Sequence, residues 1–256
     1  MNIALLQMNI VGNCPEENIT HAEKLMAGHE HVDLFVLPEM WATGFVVQPE
    51  GIAEDEDEAL SLQWMRKTSA RRGCAICGSL AIRTCEGSYY NRHYFVTPDN
   101  LFYYDKRHLF THGKEHEAYR AGTAHTIVEW GGIRFLLQTC YDLRFPLWSR
   151  YGIAGLYDAI VYVASWPQSR RDAWEVLLRA RAIENQCYVL GVNRVGDDEA
   201  CHYNGGSMVV DPRGRIVGQC NDNAEQLLST TLGIDEVMSS RARFDVLSDR
   251  DSYPMV

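Results

Sequence analysis

Residues 133–146 read IRFLLQTCYDLRFP. An apolar strand, Ile133–Gln138, runs into Thr139-Cys140. A polar Tyr141-Asp142 pair follows, and Pro146, a favoured first-turn residue, opens what reads as a helix over Phe145–Leu156. Strand, tight turn and helix in that order form an elbow, with one side chain at a strand tip beside free backbone N–H groups. Such groups lower a thiol's pKa and can hold an oxyanion. The side chain at this tip is Cys140, which reads either as a nucleophile or as a small, inert core residue.

The elbow sits in a chain that alternates strand-like and helix-like segments with short connections. Upstream, Asn2–Met8 and Asp33–Leu37 read as strands around a helix at Pro15–Gly28. The acidic run Glu54–Glu58 leads into a helix at Ala59–Arg72, whose last turn is basic and which Gly73 stops. Cys74–Arg83, Tyr90–Val96 and Leu101–Tyr104 follow as strands, with a hairpin turn at Pro98-Asp99-Asn100. Gly131-Gly132 signals a second hairpin, between Thr126–Trp130 and Ile133–Gln138. Downstream come a buried strand, Tyr157–Ala164, and a helix, Asp172–Gln186. Strands at Val189–Val192, Ser207–Val210, Arg215–Gly218 and Glu225–Thr230 follow, then a short helix at Ile234–Arg241. No linker, repeat or compositional shift divides residues 1–256, so the expectation is one α/β domain with a polar tail from about 245.

Composition bounds the function. The 256 residues carry 24 Lys+Arg against 34 Asp+Glu, a net charge of -10, with 46% hydrophobic residues. A chain of this size buries nearly three quarters of its unfolded surface, about 42,000 Å² falling to about 11,000 Å². The acid excess and the lack of a basic stripe argue against nucleic acid. MNIALLQMNI lacks the basic and apolar regions of a secretory signal, and no apolar run is long enough to span a bilayer. The eight cysteines are too sparse for a disulfide scaffold. The expectation is a reduced, cytoplasmic protein without membrane contact.

Two further strand ends break the apolar pattern. In DLFVLPEM the strand stops at Pro38 and delivers Glu39, which either caps a backbone or sits desolvated as a general base. In YYDKRHLF the strand ends in Lys106, which is either a solvated charge or, near a thiol, a stabiliser of developing negative charge. A thiol nucleophile needs a base, and the tetrahedral oxyanion needs a positive group or N–H donors. Glu39, Lys106 and Cys140 supply all three roles. His108, His112, His116 and His125 leave a Cys-His pairing open, although no orienting Asn or Asp motif accompanies them. Cys74-x-x-Cys77 is half a zinc set, but in a strand positions 74 and 77 point to opposite faces, so packing is the expected role.

LPEMWATGF, YDKRHLF, TCYDLRFP and WEVLLRARAIENQCYV together resemble the nitrilase (carbon–nitrogen hydrolase) superfamily, and within it the omega-amidase branch. The resemblance runs in order from residue 1 to about 245. It implies a four-layer αββα sandwich and a triad of Glu39 as base, Lys106, and Cys140 as nucleophile. It also implies a second glutamate after the lysine motif. KEHEAYRAG offers Glu115 and Glu117, and the spacing to Gly122 resembles the omega-amidase pattern best with Glu115. Ala121-Gly122 here departs from the commoner Pro-Gly.

The implied reaction is hydrolysis of the terminal amide of small 2-oxo acid monoamides, such as 2-oxoglutaramate or 2-oxosuccinamate, through a Cys thioester. Lys106 and the backbone N–H of Tyr141 would hold the oxyanion, with no metal and no cofactor. The resemblance places Trp166 in the substrate pocket. Arg144 is a candidate for the substrate carboxylate, or else pairs structurally with Asp142 or a neighbour. Alternatives are another C–N substrate (a deaminated peptide amide or an N-carbamoyl compound) or an inactive binding member. The expected partners are a small-molecule amide and further copies of the chain, in a dimer or larger homo-oligomer. Phe145–Leu156 and Asp172–Gln186 are the candidate pairing helices.

Overall fold

In the computed structural model, which describes residues 1–251, two mixed sheets pack face to face between outer helices. One sheet runs, in spatial order, Gln226–Thr231, Asn2–Gln7, Leu34–Val36, Ala75–Arg83, Tyr89–Val96 and Leu101–Asp105, with Glu54–Asp55 added against Ala75–Arg83. The other runs Ile216–Gln219, Met208–Val210, Tyr188–Asn193, Ala159–Ala164, Ile133–Thr139 and Ile127–Trp130. This is the four-layer αββα sandwich.

Side-chain alternation assigns the layers. Leu5, Val36, Cys77 and Phe95 face Phe135, Leu137, Val161 and Leu190 in the core between the sheets. The opposite face of the first sheet, with Leu6, Phe35 and Ile76, packs under the helices Pro15–Met26 and Leu60–Arg72. The outer face of the second, with Leu136, Ile160 and Val189, packs under helix Arg171–Asn185. Ala159–Ala164 is paired in parallel on both edges and buried along its length, so it reads AIVYVA without polar interruption. Cys74 and Cys77 fall on opposite faces of their sheet, one under the helices and one between the sheets.

Both expected hairpins form, with Val96 opposite Leu101 and Trp130 opposite Ile133. The acidic run precedes its helix: Glu54–Asp55 is a short strand, and Glu54 Oε1 accepts the backbone N–H of Ser61 at 3.0 Å, capping the helix from outside. One reading is corrected: Phe145–Leu156 is not a helix. The chain makes two 3₁₀ turns, Cys140–Arg144 and Pro146–Ser149, parted at Phe145 (φ -115°, ψ 86°). The ring of Pro146 bars its predecessor from the helical region. Gly152 and Gly155, at φ +89° and +111°, then turn the chain away. Of the expected C-terminal tail, residues 252–256 lie outside the described residues.

Candidate active site

The carboxyl ends of strands from both sheets meet at one place, where Cys140 and Ser165 line a cavity of about 1080 Å³ and Glu39 and Lys106 are fully buried. Glu39 follows Leu34–Val36, Lys106 follows Leu101–Asp105, and Cys140 follows Ile133–Thr139. Ser165 follows Ala159–Ala164. Where strand ends meet, apolar runs give way to side chains free to converge on a ligand.

Lys106 is fully buried and donates from Nζ to Glu39 Oε1 at 2.8 Å and to Glu115 Oε2 at 2.8 Å, both carboxylates being fully buried too. Burial opposes its charge, yet Glu115 and Glu39 outweigh it and hold the ammonium well above its ordinary pKa. Glu117, the alternative second glutamate, is exposed. Gly122 N–H donates to Lys106 O at 2.9 Å, and a Cβ on Gly122 would lie 2.0 Å from Asp105 O. The Ala-Gly turn therefore needs its glycine for this close approach.

Cys140 occupies the elbow with φ +44°, a left-handed conformation rare for a residue with a Cβ. Burial, the Glu39 charge and a hydrogen bond from the thiol to Glu39 push its pKa well up, and Lys106 only partly counters them. The expectation of a lowered thiol pKa is thus reversed. The five-residue 3₁₀ turn does not offset desolvation, and the resting group is a thiol. The charged groups acting on it are Glu39, Lys106 and Glu115.

The four candidate histidines are engaged elsewhere or exposed. His108 Nδ1 donates to Asp142 at 2.8 Å, His125 Nε2 pairs with the Trp148 carbonyl at 2.7 Å, and His112 and His116 are exposed.

Tyr141 stands next to Cys140 on the cavity wall, its ring edge-on to Phe110 and Phe145. Arg144 and Trp166 line the same cavity, with the Arg144 guanidinium 5.1 Å from the Trp166 ring centre. Arg144 does not pair with Asp142, whose oxygens take other donors.

Two neighbours were not singled out from sequence. Asn91 Nδ2 donates to Glu39 Oε1 at 2.7 Å and to Glu115 Oε1 at 3.0 Å, joining the two carboxylates. The Ser165 N–H donates to Glu39 Oε2 at 2.9 Å. Their sequence signals are slight: one amide inside the aromatic run YYNRHYFV and one hydroxyl closing AIVYVAS. Together these groups form a carboxylate–ammonium cluster beside a protonated thiol, suited to passing a proton and stabilising an anion in a dry site.

Residues 2–242 match the Carbon-nitrogen hydrolase family. Over 255 residues the chain is 41% identical to the omega-amidase YafV of Yersinia enterocolitica, covering 99% of this chain and 98% of that protein. It is 33% identical to the 2-oxoglutaramate amidase of Bacillus subtilis, covering 98% of both. A solved CN-hydrolase superfamily protein from Xanthomonas campestris carries an arsenic adduct in its active site. That structure superposes with a TM-score of 0.94 at 40% identity, covering 100% of this chain and 99% of that one.

Proposed function

The chain belongs to the carbon-nitrogen hydrolase family, and from that premise we propose that it hydrolyses the terminal amide of small 2-oxo acid monoamides, such as 2-oxoglutaramate and 2-oxosuccinamate, to the acid and ammonia. The observation that carries this reading is the fully buried Lys106 ammonium held by Glu39 and Glu115 and acting on the Cys140 thiol, which itself lines a cavity that also presents Arg144.

In the proposed mechanism Glu39 takes the thiol proton as Cys140 Sγ attacks the amide carbon. A buried thiol with a raised pKa makes this transfer concurrent with attack, so no free thiolate accumulates. Lys106 Nζ and the Tyr141 backbone N–H stabilise the tetrahedral oxyanion. The C–N bond then breaks, Glu39 returns the proton to the nitrogen, and ammonia leaves a thioester on Cys140. A water molecule, deprotonated by Glu39, attacks the thioester carbon. The C–S bond breaks, the sulfur regains a proton and the carboxylic acid departs. Glu115, through Lys106, keeps the ammonium aligned.

Arg144 is the proposed partner of the substrate carboxylate, since its guanidinium faces the cavity and no ion pair to it forms among the described residues. Trp166 supports it by stacking. The cavity volume of about 1080 Å³ exceeds the needs of a five-carbon acid and favours, as a second reading, a larger amide such as a deaminated peptide amide. Val176 and Ile183 on helix Arg171–Asn185, with Leu147 and Leu156, expose apolar side chains. We assign them to a homodimer contact, and the protein to the cytoplasm.

Ammonia release measured across 2-oxo acid monoamides, other primary amides, nitriles and N-carbamoyl amino acids tests the reading. It holds if kcat/KM is greatest for the oxo acid amides, and fails if an N-carbamoyl compound or a nitrile is preferred.

A further inference from the structure

Lys106 and Cys140 come from different sheets; a hydrogen bond from His93 Nδ1 to the Gln138 carbonyl crosses between them, but their facing surfaces are held chiefly by apolar contacts. Such contacts are non-directional and do not by themselves fix the register of an ammonium against a thiol. One carboxylate does touch both segments. Asp142 is fully buried, and its Oδ1 accepts the His108 backbone N–H at 2.9 Å and His108 Nδ1–H at 2.8 Å. Its Oδ2 accepts the Tyr104 hydroxyl at 2.8 Å and the Thr139 backbone N–H at 3.0 Å. Tyr104 and His108 lie two residues on either side of Lys106. Thr139 precedes Cys140, and Asp142 itself lies two residues beyond it.

We propose that Asp142 is a positioning residue that sets Lys106 against Cys140. This rests on the reading of those two groups as the oxyanion stabiliser and the nucleophile. The donors around Asp142 require a carboxylate. The Tyr104 oxygen already accepts Arg107 N–H at 3.1 Å and Trp148 Nε1–H at 2.9 Å, so its own proton goes to Asp142. His108 is oriented in turn by stacking on Phe145, with ring centres 3.7 Å apart. Each oxygen of Asp142 faces one backbone N–H, which cannot reverse into an acceptor. An asparagine therefore fails in either orientation: its amide nitrogen meets the His108 N–H or the Thr139 N–H. In either orientation one backbone N–H loses its acceptor, and the tie between the lysine segment and the elbow is broken.

The test compares Asp142→Asn and Tyr104→Phe with the wild type, using the best amide of the substrate panel, and follows kcat, KM, melting temperature and the rate of Cys140 alkylation by iodoacetamide. Alkylation needs the thiol but forms no oxyanion. For Asp142→Asn the expected result is a fall in kcat of about 10²-fold, as for an ångström-scale misplacement, with KM and alkylation within about threefold. Tyr104→Phe removes one of the four links and is expected to lower kcat by about 3- to 10-fold with the same split. Unchanged kcat in folded Asp142→Asn overturns the proposal, as do parallel losses of kcat and alkylation. If Asp142→Asn does not fold, Tyr104→Phe decides, and wild-type kcat there overturns it. Retained turnover in Cys140→Ala would instead mark failure of the mechanistic reading beneath it.

Discussion

Lys106 and Glu39 meet at 2.8 Å with neither side chain exposed to solvent. An ion pair so placed is stabilising only while both charges remain, because either one alone is stranded in a low-dielectric interior.

Replacing Lys106 by Met should therefore abolish turnover and also destabilise the fold by about 3–5 kcal/mol, since Glu39 and Glu115 would face each other uncompensated. Adding Glu115→Gln should recover part of the melting temperature and none of the activity. Thermal unfolding of the single and double variants separates the two effects. A Lys106→Met protein as stable as wild type would contradict the burial of this charge.

Glu39→Gln is expected to move two observables in opposite directions. The Glu39 charge helps to raise the Cys140 pKa, so its removal should lower the pH at which iodoacetamide alkylates that thiol. Turnover should nevertheless fall by about 10²- to 10⁴-fold for want of the base. An alkylation profile that stays in place would show that the carboxylate does not act on the thiol.

His93 gives the fold an acid limit. It is fully buried, its Nδ1–H donates to the Gln138 carbonyl at 3.1 Å, and desolvation lowers its pKa from 6.5 to about 3. Between those values the unfolded chain binds the proton and the folded chain does not. Its contribution is thus complete above pH 6.5 and lost as pH falls toward 3, by about 1.4 kcal/mol per pH unit. Urea midpoints between pH 4 and 7 should show a shallower slope for His93→Gln than for wild type. Equal slopes would mean that His93 is protonated in the fold.

Arg144→Gln should raise KM for 2-oxo acid amides by about 10-fold or more, the value of a charge-assisted hydrogen bond, while leaving uncharged primary amides within about twofold. An equal effect on both classes would show that Arg144 shapes the cavity without reading the carboxylate.

The parts of this architecture that were legible in the sequence are those in which chemistry interrupts an apolar strand. Glu39, Lys106 and Cys140 each end such a run, and the two hairpins announce themselves through Pro98-Asp99-Asn100 and Gly131-Gly132. Asn91 stayed hidden because its function depends on which strands lie opposite: a single amide among aromatics carries no local signal of two carboxylates beyond it. The misread helix at Phe145–Leu156 came from Pro146, which suits a first helical turn but also denies helical geometry to Phe145. The direction of the Cys140 shift was likewise a tertiary matter, set by burial and by Glu39 arriving from the other sheet.

The most direct measurement is ammonia release from 2-oxoglutaramate by wild-type protein and by Cys140→Ala, with circular dichroism to confirm that both are folded. Steady release is expected from the wild type and none above background from the variant. Turnover by a folded Cys140→Ala protein, or none by the wild type, would contradict the proposed reaction.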